Sequence, residues 1–181
     1  MPSPFRPANI LLTQYAQYHR DRRNIATHFV GIPLIVFAVA VLLARTSLPL
    51  AGLALSPATF VGGLVTLWYL SRGNLVLGLA SSAAMWGLIV LAHQVSGGSF
   101  GQWLGWGLGS FVVGWVIQFI GHYYEGRKPA FVDDLVGLLV GPMFVTAEAL
   151  FALGWGQALR AEIERTAGPT VVRNLVRQTS Q

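Results

Sequence analysis

The sequence predicts an all-α fold: a polytopic membrane helical bundle with about four to five spans or re-entrant helices and an N-terminal interfacial helix. Three observations predict it. Apolar residues make up 54% of the 181 positions and charged residues only 10%, against about 25% charged in ordinary soluble domains. The apolar residues fall in long stretches almost free of charge, as membrane spans require. The charges gather at the two ends and near residues 122–134, which reads as membrane topology rather than as a nucleic-acid face. No aromatic–basic interleaving points to nucleic acid as a partner. With no cysteine in the chain, disulfides, zinc–thiolate sites and thiol catalysis are excluded. The length suits one integral membrane domain over residues 1–181, with a core at 10–155 and an amphipathic or flexible tail at 156–181.

The elements follow in order. Residues 8–20 carry Ile10, Leu11, Leu12, Tyr15 and Tyr18 and predict a short amphipathic helix lying on the bilayer. Residues 29–44 are the first span, with Pro33 in its first turn, where a missing N–H costs little. This run lacks a good cleavage site and is expected to be retained. Residues 45–57 read as a Pro/Gly/Ser loop. A second, short span covers about 58–70 and a third about 74–92. The fourth, about 102–121, carries Gly105, Gly107, Gly109 and Gly114, small residues that let helices approach closely. Residues 122–134 are polar. A last apolar stretch at about 135–155 contains Gly141-Pro142, which is expected to kink or break it.

The charges orient the chain. Arg6, Arg20, Arg22 and Arg23 place the N-terminal segment in the cytoplasm, and Arg72, Arg127 and Lys128 then fall on the same side. The arginines of the tail obey the rule only if the last stretch is a re-entrant hairpin broken at Gly141-Pro142, and that reading is preferred to a full span. Eleven of the twelve basic residues are Arg, a composition typical of a GC-rich bacterial gene and hence of an inner membrane.

This topology sorts the four histidines. His19, His28 and His122 fall at the cytoplasmic face, and His93 ends the third span at the opposite one. His19 and His28 are nine residues apart. On one unbroken helix they would point to opposite sides about 13 Å apart, so the chain must break between them. Asp21 to Asn24 is the natural place, with Asn24 as a cap. In the fourth span Gln118, Gly121, His122 and Glu125 fall on one narrow stripe. Imidazole with carboxylate suits non-haem iron or zinc, and open coordination positions permit chemistry. Asn24 and Gln118 stand beside the three histidines. Glu148 is an ionisable group in the last apolar stretch, paired or functional by default. Arg20, Arg22 and Arg23 either anchor to anionic headgroups or hold a substrate carboxylate.

Two motifs carry a resemblance. His19-x4-Asn24-x3-His28-x2-Gly31-x-Pro33 and Gln118-x2-Gly121-His122-x2-Glu125-x3-Pro129-Ala130 resemble the family of the yeast 2-hydroxy fatty acid dioxygenase, formerly a membrane domain of unknown function. Gly141-Pro142-x-Phe144-x3-Glu148 is similar to its C-terminal signature. The resemblance covers about residues 10–155 and implies a bacterial member. It implies an Fe(2+)-dependent α-oxidation, in which a long-chain 2-hydroxy fatty acid and O2 give a fatty acid one carbon shorter and CO2. It also implies His19, His28 and His122 as metal ligands, and Asn24, Gln118 and Glu125 as catalytic or orienting groups. Glu125 is either a fourth ligand or an acid beside the ligands. Arg20, Arg22 and Arg23 are candidates for the substrate carboxylate.

Other classes compete with this one. A di-iron membrane hydroxylase needs about twice as many histidines as the four present. A haem protein would need His93 and His122, which the topology separates. A non-catalytic membrane scaffold or lipid-binding protein is the alternative from a different class, and it predicts no tightly bound metal.

Overall fold

The computed structural model describes residues 3–50, 53–127 and 136–174. Within them the chain is almost entirely helical: α1 (Ala8–Ala16), α2 (Arg22–Ala44), α3 (Pro57–Leu70), α4 (Leu75–Ser96), α5 (Phe100–Glu125), α6 (Val136–Ala152) and α7 (Gln157–Ala167). Helices α2, α4 and α5 have 23, 22 and 26 residues and are apolar enough to cross a membrane. At 1.5 Å per residue each exceeds the ~30 Å hydrocarbon core. Helix α3, with 14 residues, reaches only about 21 Å. Large apolar side chains such as Phe29, Val30, Phe60, Leu64, Val112, Val116 and Phe119 are exposed on the outer faces. In water that would be a costly patch, whereas lipid covers it at no cost. The protein is an integral membrane bundle.

Several boundaries differ from expectation, each for a physical reason. Helix α1 stops at Ala16, not at residue 20. Its last turn tightens, with Tyr18 N–H donating to Tyr15 O and His19 N–H to Ala16 O, which turns the chain back toward α2. Helix α2 begins at Arg22, well before residue 29. Its cap is Asp21, whose side chain accepts from the Arg23 amide, and Asn24 lies inside the first turn. Where a plain loop is expected after α2, Leu48–Leu50 (β1) and Leu53–Leu55 (β2) pair as a small antiparallel hairpin. Helix α5 runs on to Glu125 and ends on Gly126 at φ 65°, the left-handed position that glycine adopts freely. Lys128 and the rest of the expected polar segment to residue 134, with Pro129 and Ala130 of the motif, lie outside the described residues. So does Arg177.

The largest departure concerns α6. It passes through Gly141-Pro142 unbroken. A proline removes one helical hydrogen bond, and here the helix absorbs that loss. The sharp turn comes later, at 153–156, where α6 and α7 meet at 119°. Gly154 and Gly156 sit there at φ 90° and 69°, conformations that side-chain-bearing residues resist. Leu138, Leu139 and Pro142 line a cavity inside the bundle, while Glu148, two turns on, reaches Arg20 near the α2 N-terminus. Helix α7 packs on α1, with Asn9 donating to Glu162 at 2.8 Å. Residues 168–174 therefore finish on the same side of the bundle as the N-terminal arginines. His93 lies at the other end, held by Ser56 Oγ at 2.9 Å.

Helices α2 and α5 form the closest pair. A methyl on Gly31 would come within 2.9 Å of the Gly114 carbonyl, and one on Gly114 within 3.0 Å of the Gly31 carbonyl. Gly107 meets Leu42, and Gly121 meets Thr27 and Asn24. Gly107, Gly114 and Gly121 recur every seven residues, so one side of α5 lies flush on α2. Gly105 and Gly109, equally prominent in the sequence, face open space.

Gly31→Ala and Gly114→Ala should each cost about 1–3 kcal/mol through overpacking against backbone. Gly105→Ala and Gly109→Ala should be neutral or slightly stabilising through helix propensity. Unfolding in detergent micelles checks this, and equal losses at all four positions would contradict the packing described.

Candidate metal centre

Three elements deliver one histidine each. His19 lies on the turn between α1 and α2, His28 in the second turn of α2, and His122 in the last turn of α5. All three are buried, and one nitrogen from each lies within 4.8 Å of the others. The ring centroids are 4.5 Å (His19–His28), 5.0 Å (His19–His122) and 5.1 Å (His28–His122) apart.

The hydrogen bonds determine which nitrogens are free. His19 Nδ1 contacts the Tyr15 carbonyl at 2.7 Å and His28 Nδ1 the Asn24 carbonyl at 2.8 Å. A carbonyl oxygen only accepts, so both Nδ1 atoms carry the proton. Each Nε2 then bears a lone pair, and the two Nε2 atoms face each other at 3.0 Å. Neither can donate to the other while both rings are neutral. Burial, and next the charge that His28 and His122 would carry, push the His19 imidazole well below its usual range, which disfavours an imidazolium there. A cation between the lone pairs removes the conflict. One nitrogen from each ring lies within 4.8 Å of the other two, a span that a single ion would bridge. His122 Nδ1 is buried with no hydrogen-bond partner among the described residues. The three residues fit a metal ion.

Glu125 stands behind the histidines and outside their group. Its side chain is fully buried. Oε2 accepts from the Arg20 amide (2.9 Å), the Asp21 amide (2.7 Å) and Asn24 Nδ2 (3.1 Å), and Oε1 pairs with Arg173 at 2.8 Å. It therefore acts on the turn that carries His19. Asn24 also offers its carbonyl to His28. Asp21 caps α2 and accepts from the Arg23 side chain and from the Arg173 amide. Burial pushes its carboxyl up, but the hydrogen bonds from the Arg23 side chain and from the Arg173 and Arg23 amides outweigh that and bring it down to about 2.

Gln118 lines a small cavity of about 60 Å³ together with His28, His122 and Tyr15. Its buried amide nitrogen has no partner among the described residues. The arginines are turned to the protein instead. Arg20 donates to the Ala16, His19 and Gly168 carbonyls and lies 3.9 Å from Glu148. Arg23 forks onto Asp21, and Arg22 is exposed. Sequence reasoning missed Tyr15 and Phe144 as neighbours of the site. Tyr15 stacks on the His19 ring at 4.1 Å, and Phe144 lies 5.5 Å from it. The i, i+4 spacing of Tyr15 and His19 was the available signal for Tyr15. Nothing local marks Arg173.

The small cavity shares Ile35, Val36, Trp115, Leu138 and Pro142 with a larger one of about 350 Å³. The larger is lined almost wholly by apolar side chains of α2 to α6 and reaches Leu43 and Ala58. From His28 to Leu43 is about 22 Å along α2. Volume and lining are those of a pocket for an extended apolar ligand, with the histidines at one end.

Comparisons with known proteins agree with this geometry. Residues 5–153 match the family described as 2-hydroxy-palmitic acid dioxygenase Mpo1-like. The 2-hydroxy-palmitic acid dioxygenase of Saccharomyces cerevisiae is 32% identical over 154 residues, covering 83% of each chain. No solved structure matches the chain.

The Asp21 carboxyl sits lower in the folded chain than its usual value of about 3.9, so its contribution is complete above that value and is lost as pH falls toward about 2. The melting temperature of Asp21→Asn should fall below wild type at neutral pH, and the gap should close between about pH 4 and pH 2. A gap independent of pH would show that the charge is not what Asp21 contributes.

Proposed function

The chain belongs to the Mpo1-like family, and we propose that it is a membrane dioxygenase that performs α-oxidation of long-chain 2-hydroxy fatty acids with Fe(2+) held by His19, His28 and His122. The observation that carries this reading is the buried histidine trio at the end of a long apolar cavity. The yeast relative, a 2-hydroxy-palmitic acid dioxygenase, supplies the substrate class. A 2-hydroxy acid and O2 give a fatty acid one carbon shorter, CO2 and water. The C1–C2 bond breaks, C2 becomes the new carboxyl carbon and C1 leaves as CO2. Four electrons pass from the acid to O2, so the reaction needs no outside reductant.

Iron at the histidines would supply O2 activation and a chelation point for the carboxylate and 2-hydroxyl. The chain's own residues do the rest. The acyl chain lies in the apolar cavity and directs C1 and C2 toward the histidines. Gln118, whose amide nitrogen has no partner among the described residues and lies beside His28 and His122, donates to the substrate carboxylate, since Arg20 and Arg23 are engaged with the protein. Asn24 and Glu125 hold the His28 ring and the His19 turn in place. Tyr15 and Phe144 cover the His19 ring and keep bulk water from the reacting end. The arginine-rich side of the bundle is the cytoplasmic one by the charge rule, which supports a site at the cytoplasmic face, and the arginine-rich composition supports a bacterial inner membrane.

Detergent-purified wild type should contain near-stoichiometric iron by mass spectrometry. His19→Ala, His28→Ala and His122→Ala should lose it, and His93→Ala should keep it. The loaded wild type should convert 2-hydroxypalmitate and O2 to pentadecanoate and CO2. Absence of metal even after anaerobic Fe(II) reconstitution would sink the oxygenase and leave the non-catalytic scaffold or lipid-binding protein.

Ala40 lies at the cavity wall about 18 Å along α2 from His28. Ala40→Phe should lower kcat/KM for 2-hydroxypalmitate about tenfold or more while sparing 2-hydroxydecanoate. Steady-state assays across a chain-length series would show it. A uniform loss at all lengths would move the acyl chain elsewhere.

A further inference from the structure

We propose that residues 168–174 are a strap that positions His19, with Arg173 as its positioning residue. The proposal rests on the metal reading above. The strap lies beyond the residues matched to the family, which end at 153.

Of the three histidines, only His19 sits on a turn. His28 and His122 are on helices, which hold geometry better than loops do. The turn needs outside support, and it receives two kinds. One is Glu125, which takes the Arg20 and Asp21 amides from below. The other is the strap. Val171 N–H donates to the Arg20 carbonyl at 2.8 Å, and the Arg22 amide donates to the Val171 carbonyl at 2.9 Å. This is a single parallel bridge between Asp21 and Val171. Arg20 also reaches the Gly168 carbonyl at 3.0 Å, and Arg23 the Arg173 carbonyl at 2.8 Å. The amides of residues 20–22 and the Arg20 carbonyl, which a turn would otherwise leave to water, are divided between Glu125 and the strap.

Arg173 joins the two supports. Its amide donates to Asp21 Oδ2 at 2.8 Å, and its guanidinium pairs with Glu125 Oε1 at 2.8 Å. Among the described residues no other side chain forms an ion pair with Glu125. Without Arg173 the fully buried carboxylate keeps its three N–H donors but loses its countercharge. A buried charge deprived of its partner draws in water or rearranges, and the group that rearranges here is the turn bearing His19. Because His19 and His28 must present their lone pairs to the same point 3.0 Å apart, a small shift of the turn weakens the site. The loss of a group that orients a ligand usually costs 10–100-fold in metal affinity.

The test uses full-length, metal-free protein in detergent, with Co(II) as the probe followed by its visible absorption. Arg173→Ala should bind Co(II) about 10–100-fold more weakly than wild type, and Arg173→Lys should recover much of the difference. Hydrogen exchange on the same metal-free proteins should show the Arg20, Asp21 and Arg22 amides exchanging faster in Arg173→Ala. Equal Co(II) affinity with unchanged exchange overturns the strap and leaves the metal reading standing. A wild type that binds no Co(II) overturns the metal reading. The exchange comparison then decides the strap by itself, faster exchange supporting it and unchanged exchange overturning it. If Arg173→Ala does not fold, Arg173→Gln and Arg173→Lys carry the same comparison.

Discussion

The site depends on one buried carboxylate. Glu125 closes α5, and its two oxygens reach three separate stretches of chain: the turn at Arg20 and Asp21, the first turn of α2 at Asn24, and Arg173 near the far end. Four contacts on one buried anion offset the cost of taking it out of water. They also couple the three histidines mechanically. His122 is one turn before Glu125 on the same face, His28 is held by the Asn24 carbonyl, and His19 rides on the turn. The carboxylate needs no contact with a metal to decide whether the three rings meet.

That arrangement is possible because α2 and α5 touch along glycines. Gly31 and Gly114 face each other's carbonyls, and Gly121 lies against Thr27 and Asn24. Between helices in lipid, where there is no hydrophobic drive to associate, such close approach is the main source of attraction. The same contact sets the height of the site. His28 lies near the start of α2 and His122 near the end of α5, and the apolar lining extends from beside them along α2.

Much of this was legible in the sequence, and the reasons differ from residue to residue. The separation of His93 from His19, His28 and His122 followed from charge counting, because loop charges are set by local composition. The buried stripe of Gln118, Gly121, His122 and Glu125 followed from helical periodicity. The cap was misread: Asn24 and Asp21 are both good capping residues, and the choice between them is made by Glu125 and Arg173, which are distant in sequence. The sequence predicts a kink or break at Gly141-Pro142, yet α6 is continuous through it and the sharp turn comes at Gly154 and Gly156. Of the fourth span's glycines, Gly107 and Gly114 pack while Gly105 and Gly109 face outward, a difference that depends on where the partner helix lies.

The sequence by itself determined what is local or additive. It specified apolar spans, the side on which the charges lie, the period that lines up residues on one helix face, and hence which histidines share an end of the bundle. Tertiary structure decided what depends on geometry between distant segments. It set the 3.0 Å approach of His19 to His28, the commitment of Glu125 to the turn, the inward path of α6 and the return of Arg173 to the site. The reason is physical: burial of a charge or a lone pair is tolerable only where specific partners arrive, and partners about 50 to 150 residues away leave no periodic trace in the chain between.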